Sequence, residues 1–292
     1  MYPHKIAFMT DSCVDLSPEV LREQRIYTVP LRILCADGEY LDGVTIRSED
    51  VYRRLHAGEL PRTSLPRTED IAEVILRIVE DGCDGIIAIM LSSGLSGTFN
   101  LTRLAREEVK EQAGDQLQMR VYDSLSGSLG QAMTLLQAIE DHRGGMDWEE
   151  LTQRRIPYLI RHTFPFFSVD TLEYLMKGGR IGKITAATGK LLQIKPILTF
   201  APDGQLTAVA RVRGRHQVTD KLVEMAVRHR GDSRKYNLAV ANGGDRAGME
   251  IVREKLTAAL PDYDHIWDGE IDSTLSVYIG DGVLGAAVQV LD

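Results

Sequence analysis

The sequence predicts an α/β protein: an N-terminal, mostly parallel α/β sandwich of the Rossmann-like type, followed by a second, α+β domain. Three observations predict it. Strand and helix signals alternate through the first half of the chain, the pattern of a parallel sheet covered by helices. Three of those predicted strands run into polar loops that carry serine, at Asp11-Ser12, Ser92 to Thr98 and Asp123-Ser124. From about Phe166 the pattern changes, with Pro202-Asp203-Gly204 marking a hairpin between two apolar runs. At 292 residues the chain exceeds a prior of about 150 residues per domain. The expected division is residues 1–164 and 165–292.

Each element has a local reason. Lys5 to Met9 reads as a buried strand, and Ser17-Pro18-Glu19 as a helix start with a capping hydroxyl and proline at the first turn. Ile26 to Leu34 reads as one strand, and Asp37-Gly38 as a turn. Helical patterns follow at about Ser48 to His56 and Arg67 to Glu80, with Thr63-Ser64 in the loop between them. Gly85 to Met90 is a continuous apolar strand, and Phe99 to Lys110 a helix. Gln118 to Tyr122 is a further strand before a Gly-rich helix start. The second half predicts a strand at Phe166 to Asp170 and a short helix at Leu172 to Lys177 that stops at Gly178-Gly179. Strands at Lys195 to Phe200 and Leu206 to Arg211 make the hairpin. Helices at about Arg215 to His229 and Arg246 to Ala259 alternate with strands at Tyr236 to Ala241, His265 to Glu270 and Leu275 to Ile279.

Composition excludes several functions. A net charge of −8 argues against a general nucleic-acid binder or an anionic-membrane surface protein, which need an excess of Lys and Arg. No apolar run approaches a membrane span, and Met1 to Phe8 lacks the apolar core of a signal peptide. Cys13, Cys35 and Cys83 show no paired spacing, which fits a reduced, cytoplasmic protein without a disulfide framework or zinc site.

Ligands of open α/β sheets sit outside the carboxyl ends of the strands, where the three serine-bearing loops gather. The most informative is Leu91-Ser92-Ser93-Gly94-Leu95-Ser96-Gly97-Thr98, between a buried strand and a helix. Free backbone N–H groups and the positive end of the helix dipole suit an anion there, and four hydroxyls add neutral donors. The plainer reading is that Ser96 or Thr98 simply caps the helix. A serine nucleophile is disfavoured, because Gly94-Leu95-Ser96-Gly97 breaks the Gly-x-Ser-x-Gly elbow and no His lies in a companion motif. There is no phosphate-binding P-loop string. Gly280 to Gly285 matches Gly-x-Gly-x-x-Gly formally, but at the chain's end it reads as a close-packed turn. Asp11, Asp15 and Asp123 could meet, but without a His/Cys cluster no metal is expected. What remains is a hydroxyl-rich site for a neutral or anionic head group, to which Thr63 and Ser64 could contribute.

Four motifs in collinear order then resemble the DegV family, the FakB-like bacterial fatty-acid-binding proteins. They are Thr10 to Leu16, Thr63-Ser64 with Pro66, Leu91 to Thr98, and Leu172 to Ile181 continuing to Leu191 to Leu198. The resemblance implies a non-catalytic protein without a cofactor, which encloses one long-chain fatty acid in an apolar tunnel at the domain interface. It also implies a partner, a fatty acid kinase that phosphorylates the carboxyl. By matching position the carboxyl binders are Thr63 and Ser93, with Ser64, Ser92 and Ser96 as secondary donors and Arg180 and Arg213 on the head-group or kinase side. Tyr278 stands where FakB-like members carry a His, and can donate one hydrogen bond without becoming cationic. A serine-dependent hydrolase or transferase on a small ester, and a lipid-sensing regulatory module, are the alternatives.

Overall fold

In the computed structural model, which describes residues 3, 5–113, 117–184 and 194–292, the apolar runs of the first half form one parallel sheet. The strands are β1 (Ile6–Asp11), β2 (Ile26–Val29), β3 (Arg32–Cys35), β4 (Gly38–Leu41), β5 (Arg62–Ser64), β6 (Gly85–Met90) and β7 (Gln118–Asp123). Four of them lie in the order β2-β1-β6-β7, every neighbour parallel. β6 is buried at each position, as an unbroken run of Ile and Ala requires when both faces of a sheet are covered. Its Ile87 is fully buried, so Ile87→Ala should cost about 2–5 kcal/mol of stability. Chemical denaturation reads this directly, and an unshifted midpoint would contradict the placement.

The helices of this half are α1 (Pro18–Gln24), α2 (Ser48–His56), α3 (Thr68–Glu80), α4 (Thr98–Ala113), α5 (Leu129–Arg143), α6 (Trp148–Glu150) and α7 (Ile156–Arg161). A π-helical turn joins α6 to α7. α1 starts as its sequence predicts: Ser17 accepts the N–H of Val20, with Pro18 at the first helical position.

The second half is built on β8 (Thr163–Ser168), β9 (Ile194–Phe200), β10 (Leu206–Arg213), β11 (Tyr236–Gly243), β12 (Ile266–Glu270) and β13 (Val283–Val290). Their order is β10-β9-β8-β13-β11-β12, antiparallel except for the parallel β11–β12 pair. With them go α8 (Glu173–Lys177), α9 (His216–Arg230), α10 (Arg246–Ala259) and α11 (Ser273–Ile279). α9 and α10 pack on this sheet through Leu222, Met225, Val252 and Leu256. No helix among the described residues is long and apolar enough to cross a membrane.

Four local expectations need correction. Ile26 to Leu34 is two strands in different sheets, broken at Pro30, whose missing N–H cannot join a ladder. Thr63 and Ser64 lie in β5, which pairs with β3 in a small third sheet with β4, rather than in a loop. Leu275 to Ile279 is helical: Asp272 caps α11 by accepting the N–H of Leu275, and Gly280 at φ 65° ends it. Its burial on nearly every side erases the helical period and makes a short helix look like a strand. β13 was not expected, although Gly280 and Gly282 do form the predicted turn before it, at φ 65° and 77°. The Leu191 to Gln193 part of the fourth motif lies outside the described residues.

Candidate functional site

The three polar loops meet at the carboxyl edge of the parallel sheet. Asp11 Oδ2 accepts the N–H of Leu91 at 2.6 Å, and its Oδ1 accepts from Gln131 and the N–H of Cys13. Ser124 N–H donates to Met90 O, and Ser92 N–H to Ser126 O. Asp123 Oδ1 accepts the N–H groups of Ser93 and Leu125. The aspartates at the strand ends thus serve loop amides, the usual use of such residues. Burial pushes the Asp11 carboxyl up to about 6, against the hydrogen bonds that favour its ionised form.

Beside this edge lies a cavity of about 320 Å³, within the range of small-molecule sites. Its wall is mainly apolar. Leu31, Leu91, Leu95 and Leu129 come from the first half, and Phe166, Phe167, Phe200, Leu206, Ile279 and Val283 from the second. At one place the wall is polar. Thr63 Oγ1 and Tyr278 Oη are hydrogen-bonded at 2.5 Å, and Arg180 lies over the Tyr278 ring at 4.9 Å. The Arg180 Nη1 donates to Gly178 O at 2.8 Å and its Nε to Leu95 O at 3.4 Å. No described carboxylate is ion-paired with Arg180. Ser64 and Ser96 complete this polar rim, with Ser128 and Thr274 as further hydroxyl groups on the wall.

The local sequence explains the placement. The Gly178-Gly179 stop brings Arg180 back against Tyr278, since a Cβ at Gly178 would collide with the tyrosine ring. Gly179 adopts φ 72°, a conformation glycine takes freely.

Not all the expected site residues meet here. Thr63, Ser64, Ser96, Arg180 and Tyr278 line the cavity; Ser92, Ser93 and Arg213 do not. Ser92 is fully buried; its Oγ donates to Gly204 O at 2.8 Å and accepts from Gly94 N–H at 3.1 Å. It therefore pins the turn of the β9–β10 hairpin onto the serine loop. That turn must be glycine, because Gly204 has φ 75° and a Cβ there would strike Ser92 Oγ. Ser93 is exposed, with its N–H held by Asp123. Arg213 is exposed at the end of β10, and Gln217 Oε1 accepts its N–H. Ser96 keeps part of its simple capping role, accepting Thr98 N–H at 3.3 Å and bonding Thr98 Oγ1 at 2.8 Å.

Asp11, Asp15 and Asp123, which the sequence allows to meet without expecting a metal, each accept backbone amides: Asp11 from Leu91 and Cys13, Asp15 from Asp272, and Asp123 from Ser93 and Leu125. Cys13, Asp42 and Asp272 do offer atoms within 4.8 Å of one another. Both Asp42 oxygens, however, already accept hydrogen bonds, from Ser12 Oγ and Ser273 N–H, and we assign no metal there. Ser128 and Thr274 escaped sequence reasoning. Ser128 sits at φ 54°, where a non-glycine residue is worth a look, but nothing in the one-letter code announces it.

Known proteins share this architecture. A family model described as "Uncharacterised protein, DegV family" matches residues 5–290. A DegV domain-containing protein of Clostridium acetobutylicum is 31% identical over 284 residues, covering 97% of this chain and 98% of the relative. A fatty acid-binding DegV family protein of Thermus thermophilus superposes with a TM-score of 0.90 at 27% identity, over 98% of this chain and 100% of its own. A stearic acid-binding protein of Eubacterium ventriosum superposes with a TM-score of 0.88 at 28% identity, over 99% and 98%. By family match and by relatives that cover nearly its whole length, the chain belongs to the DegV family.

Proposed function

We propose that the protein is a non-catalytic carrier that encloses one long-chain fatty acid, with the tail in the apolar cavity and the carboxylate at the polar rim. The observation that carries this reading is Arg180: a guanidinium without a described carboxylate partner, braced on Tyr278, at the wall of an otherwise apolar cavity. An amphipathic acid supplies both the missing charge and the apolar body, and a charge-assisted bond to guanidinium is the strong kind. The fatty-acid-binding structures of Thermus thermophilus and Eubacterium ventriosum support it. The carrier's carboxyl is held by Thr63, Ser64, Ser96, Arg180 and Tyr278, between lobes that divide near residue 164. It works in the cytoplasm and presents the carboxyl to a fatty acid kinase for acyl-phosphate formation, needing no cofactor of its own.

Ser96 thereby replaces Ser93 as the serine of the rim, because Ser93 points its backbone to Asp123 and lies off the cavity. Titration with oleate tests this. Ser96→Ala should weaken binding about 2- to 10-fold, the worth of one hydrogen bond, while Ser93→Ala leaves it unchanged. The reverse pattern would overturn the assignment. A serine-dependent hydrolase would instead label with a serine-directed probe. Its nucleophile would need a base, and Ser96 Oγ is paired with a hydroxyl, Thr98 Oγ1. A lipid-sensing module would bind fatty acid without stimulating any kinase.

A further inference from the structure

The wall of the cavity formed by α11 is held at its start by an unusual contact between two buried acids. Asp272 caps α11 with its Oδ1 on the N–H of Leu275 at 2.7 Å. Asp272 N–H in turn donates to Asp15 Oδ1 at 2.8 Å. Each carboxyl thus uses Oδ1 on a backbone amide. The remaining oxygens, Asp15 Oδ2 and Asp272 Oδ2, are both buried without a hydrogen-bond partner, as is Ser128 Oγ, and the Asp272 carboxyl and the Ser128 hydroxyl both act on the Asp15 carboxyl. Two ionised carboxylates are acceptors only, and the Ser128 hydroxyl acts on Asp15 alone, so Asp272 Oδ2 is satisfied only by a proton held between the two carboxyls. One proton satisfies both orphaned oxygens.

We propose that Asp15 and Asp272 share one proton, and that this proton latches α11 against the loop after β1 and so closes the fatty acid cavity. α11 carries Thr274, Leu275, Tyr278 and Ile279 of the cavity wall, while Asp15 belongs to the opposite half of the chain and is held at φ 52°. The latch therefore ties the two halves together at the site. Its ligand consequence rests on the fatty acid reading above; the contact itself does not.

The surroundings make the proton necessary. The groups acting most strongly on the pair include Asp42 on the loop after β4, and none of them is basic. Asp11 at the end of β1 and the Cys13 thiol lie in the same electrostatic neighbourhood. Tyr52 on α2 also faces the pair, with Glu270 at the end of β12 acting on the same phenol. Burial pushes both carboxyls of the pair above the ordinary range. The sign follows from linkage. The folded chain holds a proton that the unfolded chain releases near the ordinary carboxyl value of about 3.9. The latch is therefore fully present at low pH and weakens as pH rises through the raised value. Loss of the proton sets two adjacent carboxylates, with Asp42 beside them, against the N-terminus of α11.

Hydrogen exchange of the α11 amides in the ligand-free protein tests the latch at about pH 5.5 and about pH 9, which span the raised range of buried carboxyls. After correction for intrinsic exchange, the wild type should lose about tenfold in protection at the higher pH, the equivalent of one pKa unit. Asp272→Asn should abolish this dependence, because asparagine still caps a helix and gives Asp15 a permanent N–H donor. The oleate dissociation rate should rise with pH in the wild type and stay flat in the variant. Equal wild-type protection at both pH values, or the same dependence in Asp272→Asn, would overturn the latch. So would protection at about pH 5.5 that EDTA removes, since a divalent cation would then bridge the carboxyls. A wild type that shows the exchange profile but binds no oleate would defeat the fatty acid reading and leave the latch standing.

Discussion

Gly285→Leu should reduce fatty acid affinity roughly 100-fold in a protein that remains folded. Gly285 lies in β13 opposite Ala241 and Phe167, both of which line the cavity. A Cβ placed on it meets Ala241 Cβ at 3.4 Å and Phe167 Cβ at 3.7 Å, ordinary contacts. A leucine there extends from the same face as those two wall residues. The ligand tail then forfeits contact worth about four methylenes at ~0.8 kcal/mol each, or ~3 kcal/mol. Overpacking itself costs stability by ~1–3 kcal/mol, so the melting temperature must be followed alongside binding. Gly285→Ala is the control, with binding close to wild type. A Gly285→Leu protein that is folded and binds oleate normally would show that the tail lies elsewhere.

Arg180→Gln should be the most damaging change at the polar rim. Glutamine retains length and hydrogen-bonding capacity but removes the charge, so the lost interaction is the charge-assisted part. Hydrogen bonds to charged groups contribute about 1.5–3 kcal/mol, so affinity should fall about 10- to 150-fold. Arg180→Lys should recover only part of it, since an ammonium has no planar fork for a carboxylate. Binding of the corresponding fatty alcohol separates the roles: it should be nearly indifferent to Arg180→Gln. Equal losses for acid and alcohol would make Arg180 a structural brace of Tyr278 instead of a carboxylate partner.

Much of this molecule is legible in its sequence, and the parts that are not have physical reasons. The parallel sheet announces itself because β6 is apolar throughout and its loop so rich in Gly and Ser. The β9–β10 turn is equally plain at Pro202-Asp203-Gly204. Position within the serine loop is not legible. Ser92, Ser93 and Ser96 are chemically alike, and only the docked hairpin turn directs Ser92 to Gly204 while Ser96 faces the cavity. α11 was hidden by its burial, which removed the polar face that marks a helix. With it was hidden the register that puts Thr274 and Tyr278, four residues apart, on one cavity-facing stripe. The Asp15–Asp272 contact spans more than 250 residues of sequence, and no local pattern encodes it. Arg180, by contrast, follows from the Gly178-Gly179 stop, although its stacking on Tyr278 depends on that buried helix.

Native mass spectrometry of the intact protein as purified from cells tests the central claim most directly. The account predicts one fatty acid per chain, released on denaturation as a free long-chain acid, with the cavity refilled by added oleate at the same stoichiometry. A protein that is ligand-free as purified, and that also rejects both oleate and palmitate, would contradict it.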